Sequence, residues 1–228
     1  KVINHEKNRG LFRARITGIS QATGDYIGIV DSDDYISADY YRRLLETATE
    51  TNADIVMGKI VHEKSDGYQY VHNSYFNMKN VERSGEEVFD KFMEQEGYCF
   101  IWHTVWNKLY SKAVWDKALP YLKQMEDHII MCEDVLYSTI IHYFAKSLVS
   151  TDYAYYFYMQ HAGASTANDN NFNKFKKNIG DLVKVFCFVE KFLKEKNVSQ
   201  ENLKHFQNWK EPSGEQSLTT IISRFLYV

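Results

Sequence analysis

Three carboxylates, Asp31, Asp33 and Asp34, follow a short apolar stretch within four residues of one another. Carboxylates this close repel one another unless a cation or bound protons compensate their charge. The end of a strand is also where an open α/β sheet presents ligands to its crevice. Because oxygen ligands favour magnesium and manganese over zinc, the cluster predicts a Mg²⁺ or Mn²⁺ site.

On the residues alone, a second interpretation of this cluster stays open. Acidic residues after a strand often cap the next helix, and Ser37 with Asp39 precedes the apolar residues of such a helix. A calcium loop of the helix-loop-helix type is disfavoured, since it needs glycine at its sixth position, where this chain has Ile36. The acids alone are therefore equally consistent with capping and with metal binding.

The composition bounds the class of protein. The chain has 228 residues, 44% of them hydrophobic, which is enough to bury a core in one large domain. Its net charge of -3 gives no signal for binding nucleic acid. The 3 cysteines have no metal-ligand spacing, no apolar run approaches a membrane span, and the first residues show no signal-peptide pattern. We therefore expect a cytoplasmic protein.

Strand and helix patterns alternate over the first half of the chain, which predicts an α/β sheet covered by helices. After residue 171, apolar residues recur at spacings of three and four, which predicts a long helix. Its other face carries lysines, which is typical of a solvated surface and also of helices that lie on membranes. Predicted strands cover 1–4, 26–30, 54–61, 68–76, 106–110 and 148–159, and predicted helices 10–22, 37–51, 85–96, 133–145, 200–209 and 215–226.

Two blocks of residues, taken in order, resemble family 2 glycosyltransferases. The first comprises NRGLFRARITGI at 8–19, ATGDYI at 22–27 and DSDD at 31–34. The second comprises WNKLYS at 106–111, ED at 133–134, and YYFY at 155–158 followed by a histidine, a glycine, a serine and a threonine.

The resemblance implies an α/β fold of the GT-A type, a Rossmann-like domain that transfers sugars from nucleotide-diphospho-sugars. It covers residues 1–168, and we expect residues 169–228 to form a helical C-terminal extension. Family members begin with further strands that bind the nucleotide, and this sequence starts after them. We therefore expect an N-terminally truncated domain, which leaves the activity of this chain open.

The same resemblance implies roles for the acidic cluster. In the family, the DxD carboxylates hold the metal and the donor, so Asp31 and Asp33 take those roles, with Asp34 beside them. Some GT-A enzymes use a late histidine as a further metal ligand, which makes His161 a candidate. A single loop histidine is, however, more often a polar surface residue.

Arg15 is a candidate donor-binding residue in the first block. A guanidinium beside the donor would direct a fixed positive charge toward its phosphates. The alternatives are a surface arginine or an ion pair with a neighbouring carboxylate. The chain departs from the family at the next position, where Ile16 replaces the usual asparagine.

Glu133 and Asp134 open a predicted helix, whose free amides and dipole would stabilise an ionised carboxylate. By resemblance, Asp134 is the general base that deprotonates the acceptor hydroxyl, with Glu133 beside it. Both acids could instead cap the helix, and Glu126 with Asp127 forms a competing acidic pair. Aromatic residues at 102, 106 and 110 could stack on a sugar, although rings at this density usually fill a core.

The resemblance thus implies an inverting, metal-dependent glycosyltransferase of bacterial surface-polysaccharide synthesis. Its partners would be a nucleotide-diphospho-sugar donor and a glycan or lipid-linked acceptor, with peripheral association at the inner face of the plasma membrane. The alternatives are a non-catalytic glycan- or partner-binding module and a phosphatase-like hydrolase, which Tyr35 disfavours because that family has threonine or valine there. The donor sugar, acceptor, linkage and oligomeric state stay open.

Overall fold

The computed structural model describes residues 1–72, 82–85, 87–160 and 172–210 of the chain. Within these ranges the helices are α1 (Gly10–Gln21), α2 (Tyr40–Thr51), α3 (Glu87–Glu94), α4 (Phe100–His103), α5 (Lys112–Leu122), α6 (Glu133–Phe144), α7 (Phe172–Glu195) and α8 (Gln200–Lys210). The strands are β1 (Tyr26–Gly28), β2 (Tyr35–Ile36), β3 (Ile55–Lys64), β4 (Gln69–Val71), β5 (Glu82–Ser84), β6 (Lys108–Ser111) and β7 (Ser147–Gln160).

The strands form one mixed sheet in the order β1-β6-β3-β7-β2, with β4 paired to β3 and β5 to β7. Only β3 and β7 run parallel, and the other described pairs are antiparallel. β3 lies at the centre and is almost wholly buried, which explains its continuous apolar run. The α/β class predicted from the alternating pattern is confirmed.

Two glycines let α2 approach the sheet closely. A methyl group at Gly28 would overlap the ring of Tyr41, and one at Gly58 would lie 2.8 Å from the ring of Tyr40. Gly58 also sits at the irregularity where the pairing of β3 with β7 shifts register. The helix that follows the acidic cluster is therefore held against the strand that precedes it.

Helix α6 is the centre of the helical part. Every residue from Val135 to His142 is buried, and α6 packs against α3, α4, α5 and α7. A helix that is buried around its whole circumference belongs inside a core. Helix α1 joins it through the hydroxyl of Tyr137, which donates a hydrogen bond to the carbonyl oxygen of Phe12 at 2.6 Å.

The helical C-terminal part is confirmed as α7 and α8. It shares its core with the preceding residues, since α7 packs on α6 and α8 on α3. Asn202 of α8 donates to the carboxylate of Asp90 at 2.7 Å, and Asp181 of α7 accepts from the amide of Ile130 at 3.1 Å. Among the described residues, no helix is both long and apolar enough to cross a membrane.

Some predicted boundaries are wrong. Residues 1–4 form no strand, and Val2 is 86% exposed. The strand predicted at 26–30 ends at Gly28, because pairing with β6 stops there and Val30 is exposed. β2, α4, β5 and α5 were not predicted, since three are only two to four residues long and α5 contains Pro120. The predicted helix at 215–226 lies outside the described residues.

A buried lysine fixes the segment between α4 and β6. The Nζ atom of Lys108 donates to the carbonyl oxygen of Ile101 at 2.6 Å, to that of Thr104, and to Oδ1 of Asn107 at 2.7 Å. Asn107 in turn donates to the carbonyl oxygen of Gly58 at 3.2 Å. These bonds tie α4 and β6 to the central strand, because a buried ammonium must satisfy all its protons.

We expect Lys108→Met to lower the free energy of unfolding by about 2–4 kcal/mol, because it leaves two buried carbonyl groups without their donor. Urea unfolding followed by tryptophan fluorescence measures this loss. Lys112→Met is the control, since it removes only an ion pair with the 55% exposed Asp116 and should cost less than about 1 kcal/mol. Equal losses in the two variants would show that Lys108 does not hold this segment.

Candidate active site

Helix α1 directs a charged residue into the protein. Phe12, Ile16 and Ile19 form its buried face, and Arg15 lies on the same face one turn after Phe12. Only 7% of the Arg15 side chain is exposed. The interpretation of Arg15 as a surface arginine is therefore wrong.

The Arg15 guanidinium joins the two predicted halves of the site. Its Nη2 atom donates to both carboxylate oxygens of Asp31, at 2.7 and 2.9 Å. Its Nη1 atom donates to Asp134 at 2.8 Å and to Glu133 at 3.1 Å. The ion-pair alternative for Arg15 is thus confirmed, with three carboxylates instead of one. Arg15 and Asp134, which are 119 residues apart in sequence, are therefore in direct contact.

A tight turn presents the acidic cluster. The amide of Asp34 donates to the carbonyl oxygen of Asp31 at 3.2 Å, and Asp33 lies exposed inside this turn. The carboxylate of Asp34 accepts from the Tyr156 hydroxyl at 2.8 Å and from the Met159 amide at 2.9 Å. The same hydroxyl accepts from the amide of Asp31 at 3.1 Å. Strand β7 therefore anchors both ends of the turn.

These contacts test the capping interpretation for Asp31 and Asp34. The described partners of Asp31 and Asp34 are Arg15, Tyr156 and Met159, none of which belongs to the N-terminus of α2. Asp39, at the start of α2, makes no side-chain cap and instead accepts from Arg43 at 3.0 Å. The capping interpretation is therefore wrong for Asp31 and Asp34.

Burial dominates the proton affinities of the cluster. It raises the pKa of Glu133 to about 8, with a further rise from Asp134 and an opposing effect of Arg15. Burial also raises the pKa of Asp134, against the lowering effect of Arg15. Burial alone would lower the pKa of Arg15, but the carboxylates raise it above its ordinary value. The helix dipole expected to keep Asp134 ionised is outweighed, because the desolvation of a buried carboxylate is the larger effect.

Asp34 differs from its neighbours. Burial raises its pKa to about 6, while the hydrogen bonds from Met159 and Tyr156 lower it. Both carboxylate oxygens already accept a hydrogen bond, so Asp34 holds the turn in place and is not free to donate both oxygens to a ligand. Asp33 is the most accessible acid of the turn.

The site has fewer cations than carboxylates. Three carboxylates around one guanidinium leave two excess negative charges when all are ionised, so a cation or bound protons must compensate them. Among the described residues, no group of three or more His, Cys, Asp or Glu side chains is arranged to hold a metal. A cation here would therefore need ligand phosphate oxygens, which is how Mg²⁺ usually binds with one or two carboxylates.

The remaining candidate residues lie at the surface, in the core or outside the described residues. The competing acid Asp127 lies at the surface, 48% exposed, in an ion pair with Lys184 at 2.7 Å. The rings of Trp102, Trp106 and Tyr110 are buried, as expected of core residues. His161 lies outside the described residues, so its role as a metal ligand stays a prediction.

Sequence reasoning missed the part played by Tyr156. Its hydroxyl bridges Asp31 and Asp34, although it lies in a strand recognised only by its aromatic pattern. The available signal was period-two alternation, which places Tyr156 on the buried face of β7. That pattern does not identify the partner of the hydroxyl, which comes from 122 residues away.

A comparison with protein families matches the N-terminal part of the chain. The family described as "Glycosyl transferase family 2" matches residues 1–109, which include Arg15 and the acidic turn. The chain carries a family 2 glycosyltransferase domain. The matched residues end just after the segment fixed by Lys108, and α6 with Asp134 follows that match.

Curated relatives of the family 2 domain are bacterial. The chain is 36% identical over 114 residues to the "uncharacterized glycosyltransferase EpsJ" of Bacillus subtilis (strain 168), covering 50% of this chain and 32% of EpsJ. It is 32% identical over 158 residues to the glycosyltransferase GlyA of Streptococcus pneumoniae serotype 4, covering 66% of this chain and 21% of GlyA. The chain therefore spans a third or less of the length of these two relatives.

A solved structure shares the fold of the family 2 domain. S. aureus TarS 1-349 in complex with UDP-GlcNAc matches with a TM-score of 0.51 and 19% identity, covering 99% of this chain and 65% of that one. At this identity the match concerns the fold alone. The GT-A fold expected from the resemblance is thereby confirmed.

We expect Arg15→Met to destabilise the protein by about 3–5 kcal/mol at pH 8, because three buried or half-buried carboxylates lose their cation. The deficit should shrink as the pH falls. Without Arg15, the folded-state pKa values of these carboxylates lie higher than in the wild type. The folded variant therefore binds protons at a pH where the wild-type acids are still ionised, and this uptake offsets part of the lost ion pairing.

Urea unfolding at several pH values measures this dependence. Arg42→Met is the matched control, because its side chain is 60% exposed and should contribute less than about 1 kcal/mol at any pH. A deficit of Arg15→Met that stays constant with pH would contradict the ionised cluster.

Proposed function

We propose that this chain contributes the catalytic centre of an inverting, metal-dependent glycosyltransferase that acts in bacterial surface-glycan synthesis. One observation carries the proposal. A single buried guanidinium brings Asp31, from the proposed donor side, and Asp134, the proposed base, into one ion-pair cluster. A transferase needs both functions within reach of one anomeric carbon.

Asp134 is the better base of the two acids in α6. Its side chain is 26% exposed, whereas that of Glu133 is 10% exposed, so Asp134 has the freer carboxylate. A pKa raised by burial also brings a carboxylate closer to the working range of a general base. Asp134 would take the proton of the acceptor hydroxyl, whose oxygen then forms the new bond to the anomeric carbon. The bond to the diphosphate breaks on the opposite face, which inverts that carbon.

Arg15 would position the base and keep it ionised. Its Nη1 atom fixes Asp134 at 2.8 Å, and its charge opposes the rise of the Asp134 pKa. Because both oxygens of Asp31 hold Nη2, a shift of Asp31 on the donor side would also move Asp134 through the Arg15 guanidinium. Arg15 thus acts through these carboxylates, which differs from the donor-facing role that its position suggested.

The acidic turn would hold the donor. Asp33 and the remaining lone pairs of Asp31 fit a Mg²⁺ or Mn²⁺ ion shared with the donor diphosphate, with His161 as a further candidate ligand. Such an ion would neutralise the charge that develops on the leaving diphosphate. Asp34 would keep the turn in the conformation that presents Asp33.

The comparisons guide the choice of substrates. S. aureus TarS was solved with UDP-GlcNAc, which makes this nucleotide sugar the first donor to test. The acceptor would be a glycan or a lipid-linked glycan, reached at the cytoplasmic face of the membrane. We keep residues 1–168 as the transferase domain and residues 169–228 as its helical extension, packed against it through α7 and α8.

We expect Asp134→Asn to lower the rate of UDP release from UDP-GlcNAc with acceptor by at least about 100-fold, because the amide cannot accept the proton. Donor affinity, measured by titration calorimetry, should stay within about twofold, since Asp134 is assigned to the acceptor hydroxyl and not to the donor diphosphate. Asp127→Asn is the matched control and should keep the wild-type rate. Loss of turnover in Asp127→Asn but not in Asp134→Asn would assign the base to the other acidic pair.

We expect Asp33→Ala to abolish the part of UDP-GlcNAc binding that depends on MnCl₂, because Asp33 is the accessible oxygen ligand of the turn. Titration calorimetry with and without MnCl₂ measures this difference. Asp39→Ala removes a half-exposed acid whose ion-pair partners among the described residues are Arg42 and Arg43 of α2, and it should bind as the wild type does. Glycan binding without any nucleotide binding would instead indicate a non-catalytic module.

A further inference from the structure

A row of rings crosses the sheet beside the acidic turn. Strand pairing places Tyr158 of β7, His62 of β3 and Tyr70 of β4 side by side, since His62 is the register partner of both. Paired residues point to the same face of a sheet, and three strands span about 10 Å. The rings of His62 and Tyr70 stack with their centroids 4.9 Å apart and their planes at 7°.

The row is continuous with the candidate active site. Trp106 stacks on Tyr158 at 5.3 Å, with the planes at 5°, and packs on Tyr156 at 4.4 Å. The hydroxyl of Tyr156 binds the amide of Asp31 and the carboxylate of Asp34. A molecule held along the row would therefore end next to the turn that we assign to the donor.

Polar atoms lie among these rings. The side-chain amide of Gln160 lies 3.2 Å from Nδ1 of His62 and donates to the Tyr70 hydroxyl at 3.3 Å. His62 is only 2% exposed, and its Nε2 atom has no hydrogen-bond partner among the described residues. A buried polar atom without a partner is destabilising unless a ligand or water binds it. Tyr70 and Tyr158 are only partly buried, so the row can be reached.

The row is uncharged near neutral pH. Burial lowers the pKa of His62 to about 4, an effect that His72 reinforces, and burial also lowers the pKa of His72. His72 stacks on His62 with centroids 4.9 Å apart and on Phe100 at 5.0 Å, which extends the same uncharged surface. Lys64 lies 6.0 Å from the centroid of the Tyr70 ring, but the rings of the row themselves offer no positive charge to a nucleotide diphosphate, whereas an uncharged ligand needs none.

A neutral sugar has the complementary chemistry. The face of a pyranose ring that carries its C–H groups is apolar and covers aromatic surface, while its hydroxyls can donate to and accept from polar side chains. Apolar rings with a few placed polar atoms are typical of small-ligand sites. The row provides three rings, an amide and an imidazole nitrogen without a partner.

We propose that the row from Tyr158 through His62 to Tyr70 is the subsite that binds a neutral pyranose of the acceptor glycan, whose apolar face would cover the partly buried rings of Tyr70 and Tyr158. This inference rests on the proposed function, because only glycosyl transfer supplies an acceptor sugar beside the acidic turn.

Saturation-transfer NMR with methyl β-D-glucopyranoside and methyl N-acetyl-β-D-glucosaminide tests the subsite on the 228-residue chain. We expect the wild type to give a saturation-transfer signal for at least one glycoside, and that signal to be at least about fivefold weaker in Tyr70→Ala and in His62→Leu. Tyr70→Phe keeps the ring and should retain most of the signal. Tyr153→Ala, at a 71% exposed tyrosine elsewhere on β7, is the matched control and should keep all of it.

Calorimetric titration of the same variants with UDP-GlcNAc and MnCl₂ separates the two proposals. Unchanged donor binding together with a lost NMR saturation-transfer signal of the glycoside in Tyr70→Ala supports the subsite. Circular dichroism checks that the variants are folded. The subsite is overturned if the glycosides show no saturation-transfer signal with the wild type, or if that signal is unaltered in both Tyr70→Ala and His62→Leu. A wild type that binds glycoside but no nucleotide sugar overturns the proposed function and with it the acceptor role, although the row would still bind sugar.

Discussion

The ion pairs of Arg15 are the interaction on which the rest of the site depends. One guanidinium, 7% exposed, holds Asp31, Glu133 and Asp134 at distances between 2.7 and 3.1 Å. Two carboxylates of one helix and one carboxylate of a turn could not be buried together without it, because their repulsion and desolvation would be uncompensated. The packing of α1 on α6 serves this geometry, since it buries the face that carries Arg15.

The balance of charge in this cluster also sets its chemistry. One cation for three carboxylates leaves the acids with raised proton affinities, and burial raises the pKa of Glu133 to about 8. A site in this state gains from a further positive charge, whether a metal ion or a proton taken from a substrate. Lys108, also buried, lowers the pKa of Asp134 as Arg15 does, and so favours the ionised form of that carboxylate.

Local patterns in the sequence were sufficient for the local parts of this site. The helix around Arg15, the acids after β1 and the acidic start of α6 were all predicted close to their places, because each depends on residues near in sequence. The contacts between them were not predicted. Arg15 meets Asp134 across 119 residues and Tyr156 meets Asp34 across 122, and such pairings follow from tertiary packing that no periodicity encodes.

The strand order has a consequence for how this protein is made. β2, which follows the acidic turn directly, is paired among the described strands only with β7, more than 110 residues later in the chain. Contacts between such distant segments form slowly, because a long loop must close first. During synthesis, the acidic turn therefore emerges from the ribosome well before Tyr156 and Met159, which anchor it. A nascent chain that ends before β7 would display the acids of the turn without a defined geometry, and that geometry would form only once β7 has paired.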